Sequence, residues 1–178
     1  MNLFIALLRG VNVSGRNIIK MSDLKESLSS LGYQNIQTYI QSGNIIFASD
    51  SSNIEILQNQ IKKLILRDFG YTIQVMVFTK NYFLRVFQNN PLIGITDIDY
   101  KKLCVTFLNI SPDQNLLEEI THDFSEKIIL DEKVLYLFYP NGIGRSKLNS
   151  NFIDKKLKTI STTRNWNTIS KLSQKLLR

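Results

Sequence analysis

Apolar residues in the first 79 positions follow the period of a strand in some segments and of a helix in others. Residues 3–8 form an unbroken apolar run, which predicts a strand covered on both faces. Leucines and isoleucines recur at helical spacing within residues 24–31 and 54–65. The predicted elements are a strand at 3–8, a helix at 22–31, strands at 36–41 and 44–48, a helix from 54, and a strand at 72–78.

Polar residues predict where several of these elements begin and end. Ser22 is placed to cap the first helix and Gly32 to stop it, while Asn53 is placed to cap the second helix. Alternation at 36–41 puts Ile36 and Ile40 on one face of a strand. A tight turn at residues 42–43 then predicts a hairpin with the strand at 44–48.

The second half shows a similar order of elements. Ser111 followed by Pro112 is typical of a helix N-terminus, with Leu116, Leu117 and Ile120 on the apolar face of that helix. Trp166 starts an apolar stripe on the last helix, so we expect it to be a core residue. The predicted elements are helices at 81–88, after 112, at 149–157 and at 165–177, and strands at 102–109, 127–130, 133–139 and 159–161.

Both halves therefore predict the order β-α-β-β-α-β, which is the ferredoxin-like arrangement. A chain of 178 residues is long enough for two such halves. The predicted fold class is α+β, with two ferredoxin-like (α/β plait) halves packed together. We place the first subdomain at residues 1–79. The second, at 80–178, includes a connecting helix and a basic C-terminal helix.

Positive charge is concentrated in the last part of the chain. Residues 1–139 carry 13 Lys or Arg against 14 Asp or Glu, a net charge of −1. Residues 140–178 carry nine Lys or Arg against Asp154 alone, a net charge of +8. This asymmetry indicates an anionic partner for the C-terminal part, although a solvated basic helix face is the alternative.

Few residues are suited to acid–base, nucleophilic or metal chemistry. The single cysteine, Cys104, lies in a predicted strand and is expected to be a buried inert thiol, and the single histidine, His122, is expected at the surface. One His and one Cys do not make a zinc site of the usual kind. We expect no metal and no cofactor, and the catalytic residues are unknown. The unpaired cysteine and the lack of a long apolar run favour a cytoplasmic protein without a membrane partner.

The turn after the predicted strand at 133–139 is the first candidate binding site. Glycines at 142 and 144 allow the backbone to turn so that N–H groups converge on an anion. Arg145 offers a bidentate fork, Lys147 a point charge and Ser146 a hydroxyl group. The spacing matches neither a phosphate-loop nor a dinucleotide signature, and a tight connection with structural glycines is the alternative.

The loop at residues 9–17 also follows an apolar strand and also combines glycine, asparagine and arginine. It is expected to occupy the same topological position in the first half, which would make the two loops related binding surfaces. Arg164 precedes the last helix and is a candidate for an anion at that helix N-terminus. The candidate ligand-binding residues are Arg9, Asn12, Arg16, Asn141, Arg145, Ser146, Lys147 and Arg164.

Four segments together resemble one bacterial family, the domain-of-unknown-function family 1697. They are residues 6–17 (ALLRGVNVSGRN), 38–47 (TYIQSGNIIF), 139–148 (YPNGIGRSKL) and 162–168 (TTRNWNT). The resemblance covers nearly the whole chain and implies a pair of ferredoxin-like subdomains. It implies no activity, cofactor or catalytic residue. The chain departs from the family pattern at Ser14, where glycine is expected.

Four functions from different classes remain open on the sequence alone. One of them is a protein-interaction module, which would show as a large exposed apolar patch in the structure. The other three involve a ligand or a substrate. The first is a module that binds a small anionic ligand, either a phosphorylated metabolite or a nucleotide. The second is a nucleic-acid-binding protein, which the buried central strands and the absence of an aromatic RNA-binding signature make the weaker alternative. The third is an enzyme acting on a phosphorylated substrate through arginine and lysine. The sequence names no base for such an enzyme, so whether the protein is one stays open.

Overall fold

A computed structural model describes all 178 residues as an α+β fold with two four-stranded antiparallel sheets and six α-helices. The strands are β1 (Asn2–Leu8), β2 (Gln34–Tyr39), β3 (Asn44–Ser49), β4 (Val75–Thr79), β5 (Leu103–Leu108), β6 (Lys127–Asp131), β7 (Val134–Phe138) and β8 (Ser161–Asn165). The helices are α1 (Met21–Ser29), α2 (Ile54–Phe69), α3 (Lys80–Gln88), α4 (Gln114–Asp123), α5 (Ser150–Leu157) and α6 (Trp166–Leu176). None of the helices has both the length and the apolar character that crossing a membrane requires.

The chain divides into two compact units. Unit 1 consists of Met1–Arg85 together with Gln174–Arg178, and unit 2 consists of Val86–Ser173. The first unit therefore takes its last residues from the far end of the chain, which no local pattern in the sequence indicates.

The sheet of unit 1 has the strand order β2-β3-β1-β4, so β1 is a central strand as its apolar run predicts. Residues 4–8 are buried, and the core of the unit is formed where the sheet packs against α1 and α2. Leu24 and Leu28 of α1 and Leu57 and Ile61 of α2 are fully buried in this core.

The sheet of unit 2 has the order β6-β7-β5-β8, and its elements follow one another as β5-α4-β6-β7-α5-β8. The second strand of each unit is thus an edge strand and the third is central. Cys104, Leu135 and Leu137 point into a core that also contains Leu117 of α4 and Ile153 of α5. Cys104 is a free, buried thiol as predicted, and burial raises its pKa to about 12.

Trp166 is buried in unit 2, as its place on an apolar stripe predicts. Its ring stacks on that of Phe87, with the centroids 5.2 Å apart. A stacked aromatic pair of this kind adds to the stabilisation that burial alone provides.

Helix caps follow the sequence prediction at some helices and not at others. The side chain of Asn53 accepts a hydrogen bond from the amide of Ile56 at 3.1 Å, which confirms the cap of α2. The prediction for Ser22 is wrong, because α1 begins at Met21 and the Ser22 hydroxyl donates to Asp23 instead. The prediction for Ser111 is also wrong. Asp113 caps α4 by accepting from the amides of Asn115 and Leu116.

Three strands occupy different residues from those predicted. Strand β4 runs over Val75–Thr79 instead of residues 72–78. Ile40 lies outside β2 because the chain turns there with φ +49°, so its side chain is 49% exposed instead of sharing the buried face of Ile36. The last strand runs over Ser161–Asn165 instead of residues 159–161, and it pairs with β5 at the edge of its sheet.

Candidate functional site

The connection between β1 and α1 in unit 1 is dominated by left-handed backbone conformations. Gly10, Asn12, Ser14, Gly15 and Asn17 all have φ between +48° and +74°. Asparagine and glycine adopt this region readily, whereas serine does so at some cost. The left-handed conformation of Ser14 is a physical reason for the glycine that the family pattern leads us to expect there.

Asn12 holds this connection to the neighbouring hairpin. Its Nδ2 donates to the carbonyl oxygens of Ile19 at 2.9 Å and of Gln41 at 2.8 Å, and its Oδ1 accepts from the amide of Ile19 at 2.9 Å. Gln41 lies in the turn between β2 and β3, so the two family-like segments of unit 1 meet at this point. These three bonds give the Asn12 side chain a structural role in the chain.

The two arginines of this connection lie in different environments. Arg9 is half-buried, and its amide donates to the carbonyl oxygen of Gln74 at 2.9 Å. Arg16 is exposed, and its amide donates to Val13 at 3.0 Å. Asn17 closes the loop, because its Nδ2 donates to the carbonyl oxygen of Gly10 at 3.0 Å.

In unit 2, the turn after β7 forms one side of a shallow depression of about 280 Å³. Four of the sequence-predicted residues line it, namely Asn141, Arg145, Ser146 and Lys147. The opposite side is formed by residues 123–126, which connect α4 to β6. The structure therefore brings together half of the predicted site residues.

Buried hydrogen bonds fix the ends of this turn. Tyr139 is buried, and its hydroxyl donates to the carbonyl oxygen of Leu148 at 2.9 Å. Burial, with smaller contributions from Cys104 and Glu126, raises the Tyr139 pKa well above its usual range. Gly142 has φ +82°, and a 3₁₀ turn at Ile143–Arg145 follows it.

The hydroxyl group of Ser146 makes two hydrogen bonds. Its hydroxyl donates a short hydrogen bond to the carboxylate of Glu126 and accepts one from the amide of Leu148 at 3.0 Å. These bonds tie the β7–α5 connection to the segment preceding β6. Ser146 therefore shapes the depression and holds Glu126 in place.

The charges at the depression balance one another. Arg145 and Lys147 are exposed, and neither side chain makes a hydrogen bond or an ion pair within the chain. Asp123 and Glu126 face the same depression, with Glu126 bonded to Ser146 and Asp123 3.4 Å from the ring of His122. Two cations thus lie beside two carboxylates, and only one of these carboxylates is also held by a hydroxyl group.

Arg164 is not part of this depression. It lies in β8 opposite Val105 of β5, and its side chain is buried. Its Nη1 donates to Thr162 Oγ1 at 3.0 Å and to the carbonyl oxygen of Thr163 at 2.9 Å. Burial lowers the pKa of this guanidinium group to about 10, which still leaves it charged at neutral pH.

The basic residues of the C-terminal part lie in different environments. Arg164 is buried, and Lys156 pairs with Glu119 at 2.5 Å. Lys175 belongs to unit 1, where its Nζ lies 3.4 Å from Gln37 Oε1. Of the nine cations, Arg145 and Lys147 are the two at the depression.

The two candidate loops do not occupy equivalent positions, so that part of the sequence prediction is wrong. Residues 9–17 follow β1, the first strand of unit 1, whereas residues 141–147 follow β7, the third strand of unit 2. Adjacent strands in each sheet are antiparallel. The two loops therefore lie at opposite ends of their respective sheets.

Sequence reasoning missed Asp123 and Glu126 as members of the site. The signal that would have found them is the predicted hairpin, because β6 and β7 are antiparallel and pair Lys127 with Phe138. Residues just before β6 must then lie beside residues just after β7. No group of three or more His, Cys, Asp or Glu side chains is placed to hold a metal ion.

Comparisons with known proteins agree with the resemblance seen in the sequence. The model of the family described as "Protein of unknown function (DUF1697)" matches residues 1–136. The chain belongs to this family. The match includes the first two family-like segments and ends before the β7–α5 turn. A comparison with curated proteins found no match.

A solved structure shows the same fold as this family member. It is that of the conserved bacterial protein SP0830 from Streptococcus pneumoniae, with a TM-score of 0.74 and 20% sequence identity. The alignment covers 98% of each chain. At this identity the similarity concerns the fold alone.

Proposed function

We propose that this protein binds a small phosphorylated ligand, a metabolite or a nucleotide, at the depression beside the β7–α5 turn. The observation that carries the proposal is the placement of Arg145 and Lys147 there, both exposed and both without an ion pair within the chain. Charge-assisted bonds from arginine and lysine to phosphate are among the stronger polar contacts available to a protein.

The backbone of the turn supports the same ligand. A Cβ atom added at Gly142 or at Gly144 would meet no atom within 4 Å, so a ligand has room to approach the main chain at both positions. Asn141 is exposed at the rim and offers an amide group. Small residues and polar rims of this kind suit recognition of an anion by backbone and side chain together.

The two carboxylates limit the kind of ligand that fits. Asp123 would accept hydrogen bonds from hydroxyl or amino groups, whereas it would repel a simple polyanion. The site is therefore suited to a phosphate ester that also carries hydrogen-bond donors. Arg9, Asn12, Arg16 and Arg164 stay outside this proposal. The first three belong to unit 1, and the Arg164 guanidinium is buried.

Thermal denaturation in the presence of sugar phosphates and nucleoside phosphates tests the proposal. A ligand at about 100 times its Kd adds roughly 2.7 kcal/mol to the free energy of unfolding, which raises Tm measurably. We expect Arg145→Ala to abolish the increase, because it removes the guanidinium group that would bind the phosphate. Lys155→Ala, an exposed lysine of α5 outside the depression, is the matched control. The absence of any increase, or an increase unaffected by Arg145→Ala, would contradict the proposal.

A nucleic-acid ligand receives less support from the sheets. Stacking of bases on a ferredoxin-like sheet needs exposed aromatic side chains. Phe4, Phe47, Phe107 and Tyr136, in the central strands, are all buried. A small ligand at the β7–α5 turn makes no such demand.

We also propose that each unit is a ferredoxin-like, or α/β plait, subdomain. The order β-α-β-β-α-β in each unit supports this assignment, as do the strand orders β2-β3-β1-β4 and β6-β7-β5-β8. The unpaired thiol of Cys104 supports action in the cytoplasm, where thiols stay reduced.

A further inference from the structure

Strand β6 is the outer strand of the unit 2 sheet and is bound by a strand on one side only. It pairs with β7 through every residue from Lys127 to Asp131 without a register shift. In an antiparallel pair, every second residue of an edge strand directs its N–H and C=O groups away from its neighbour. Such a row of groups is a template for a further strand.

The corresponding edge of unit 1 is different. Strand β2 has the same place in its sheet, but its pairing with β3 shifts register between Gln34 and Gln37. Asn35 lies within that irregularity with φ +52°. Bulges and polar residues are common means of preventing an edge from pairing. Unit 1 has such an irregularity at this edge, whereas the pairing of β6 with β7 has none.

A trough of about 590 Å³ runs alongside β6. Its apolar lining comes from Leu117 of α4 and from residues 128–130 of β6, and its polar lining comes from Gln114, Glu118, Thr121 and His122 of α4. Ile128, Ile129 and Leu130 are only half-buried. A regular edge and an adjoining trough, with apolar residues along the strand itself, together form a surface that an added strand can cover.

The two ends of β6 carry charges of opposite sign. Lys127 stands at one end and Asp131 at the other, and neither forms an ion pair in the structure. Consider a second copy of β6 placed antiparallel about Ile129. Lys127 of each copy then lies opposite Asp131 of the other, and Ile128 lies opposite Leu130. A parallel arrangement would instead oppose like charges at both ends, which is unfavourable.

We propose that β6 is a self-association surface on which a second copy of this chain pairs antiparallel about Ile129. The two copies are related by a twofold axis, so the same residues contribute from both sides. The two four-stranded sheets of unit 2 become one continuous sheet, and the two troughs close against each other. A five-residue strand and a trough make a small interface, so we expect a dimer that dissociates on dilution.

Sedimentation over a range from micromolar to millimolar protein gives the first test. We expect the mass to rise from one chain towards two across this range. A single-chain mass throughout would overturn the proposal. A single-chain mass together with binding of an unrelated extended peptide at β6 would also overturn it, because the occupant would then be a different partner.

Charge reversal gives a second test that does not depend on removing apolar residues. Lys127→Glu places two carboxylates opposite each other at both ends of the strand pair, and Asp131→Lys places two ammonium groups there. We expect each variant alone to be monomeric and an equimolar mixture to form a heterodimer. The double variant, with both changes in one chain, is expected to dimerise again. Lys25→Glu, at an exposed position of α1, is the control that should dimerise like the unaltered chain. Dimerisation of either single variant alone, or no heterodimer from the mixture, would refute the antiparallel register.

Discussion

The amide of Leu8 donates a hydrogen bond to the carbonyl oxygen of Gly43 at 2.8 Å, and the two residues are in contact beyond that bond. A Cβ atom added to Gly43 would lie 2.6 Å from the Cβ atom of Leu8. The left-handed φ of +71° also favours glycine at this position. Glycine is therefore required at 43 both by the backbone conformation and by the buried end of β1.

Gly43→Ala is expected to lower the free energy of unfolding by about 3 kcal/mol or more, since overpacking adds to the conformational strain. The matched control is Gly32→Ala. Gly32 has a similar φ of +78° but no atom within 4 Å of the added Cβ, so strain alone should cost about 1 to 2 kcal/mol. Urea denaturation of both variants measures the difference. Equal losses would show that contact with Leu8 is unimportant.

Asn12→Asp tests the hydrogen bonds between the β1–α1 connection and the hairpin turn. The change keeps the acceptor for the Ile19 amide but replaces two donated bonds with a carboxylate facing two carbonyl oxygens. We expect a loss of about 2 kcal/mol in the free energy of unfolding. Asn35→Asp is the control, because Asn35 shares the left-handed backbone but its exposed side chain bonds to nothing. Similar stabilities of the two variants would argue against the role of Asn12.

Ile40→Asn is expected to stabilise the protein, although it removes a large apolar side chain. Ile40 is β-branched, half-exposed and held at φ +49°, a conformation that asparagine adopts at lower cost. The gain should be about 1 kcal/mol in the free energy of unfolding. Ile18→Asn changes an isoleucine that is 56% exposed and outside the left-handed region, and should have little effect. If Ile40→Asn proved less stable than the unaltered chain, Ile40 would have an apolar contact that outweighs the strain.

Stability should fall at alkaline pH because buried acids keep their protons only in the folded chain. Burial raises the pKa of Cys104 from 9.0 to about 12 and that of Tyr33 from 10.0 to about 12. The unfolded chain therefore releases these protons first, and the free energy of unfolding decreases as pH rises above about 9. Arg164 contributes to the pH dependence with the opposite sign. Its pKa in the folded chain is lowered to about 10, so above that pH the unfolded chain binds more protons at this group. This contribution to the free energy of unfolding therefore rises with pH.

Cys104→Ala separates the contribution of the thiol from the others. The variant should be less stable than the unaltered chain at about pH 8, because it leaves a cavity in the core. The gap in the free energy of unfolding between the two proteins should narrow at pH values above about 9, since only the unaltered chain loses stability through this thiol. Denaturant titrations at a series of pH values measure the gap. A constant gap would show that Cys104 does not contribute to the pH dependence.

Much of the fold could be predicted from the sequence because burial imposes a regular pattern on strands and helices. The apolar runs of β1 and β7 correspond to central strands, and the cap at Asn53 follows from a local rule. Local rules gave wrong predictions where a neighbouring side chain or a turn outweighed them. Ser22 bonds to Asp23 instead of capping α1, and the turn at Ile40 overrides the alternation that would have kept it in β2.

The candidate site was predicted on one side only. The glycines and basic residues at 141–147 are contiguous in the sequence, so their pattern predicts that side of the site. Asp123 and Glu126 reach the same depression through the pairing of β6 with β7, and Ser146 then fixes Glu126 in place. No local pattern in the sequence predicts the burial of Arg164, because it depends on the pairing of β8 with β5, a distant part of the chain.

The composition of unit 1 from two separated stretches has a consequence for biosynthesis. The ribosome completes residues 1–85 early, but the remaining members of that unit, Gln174–Arg178, emerge only after unit 2 has been translated. Among these late residues, Lys175 places its Nζ atom 3.4 Å from Gln37 Oε1 of β2, and Leu176 is buried. We therefore expect the nascent N-terminal part to stay less protected against proteolysis until the final helix has left the exit tunnel.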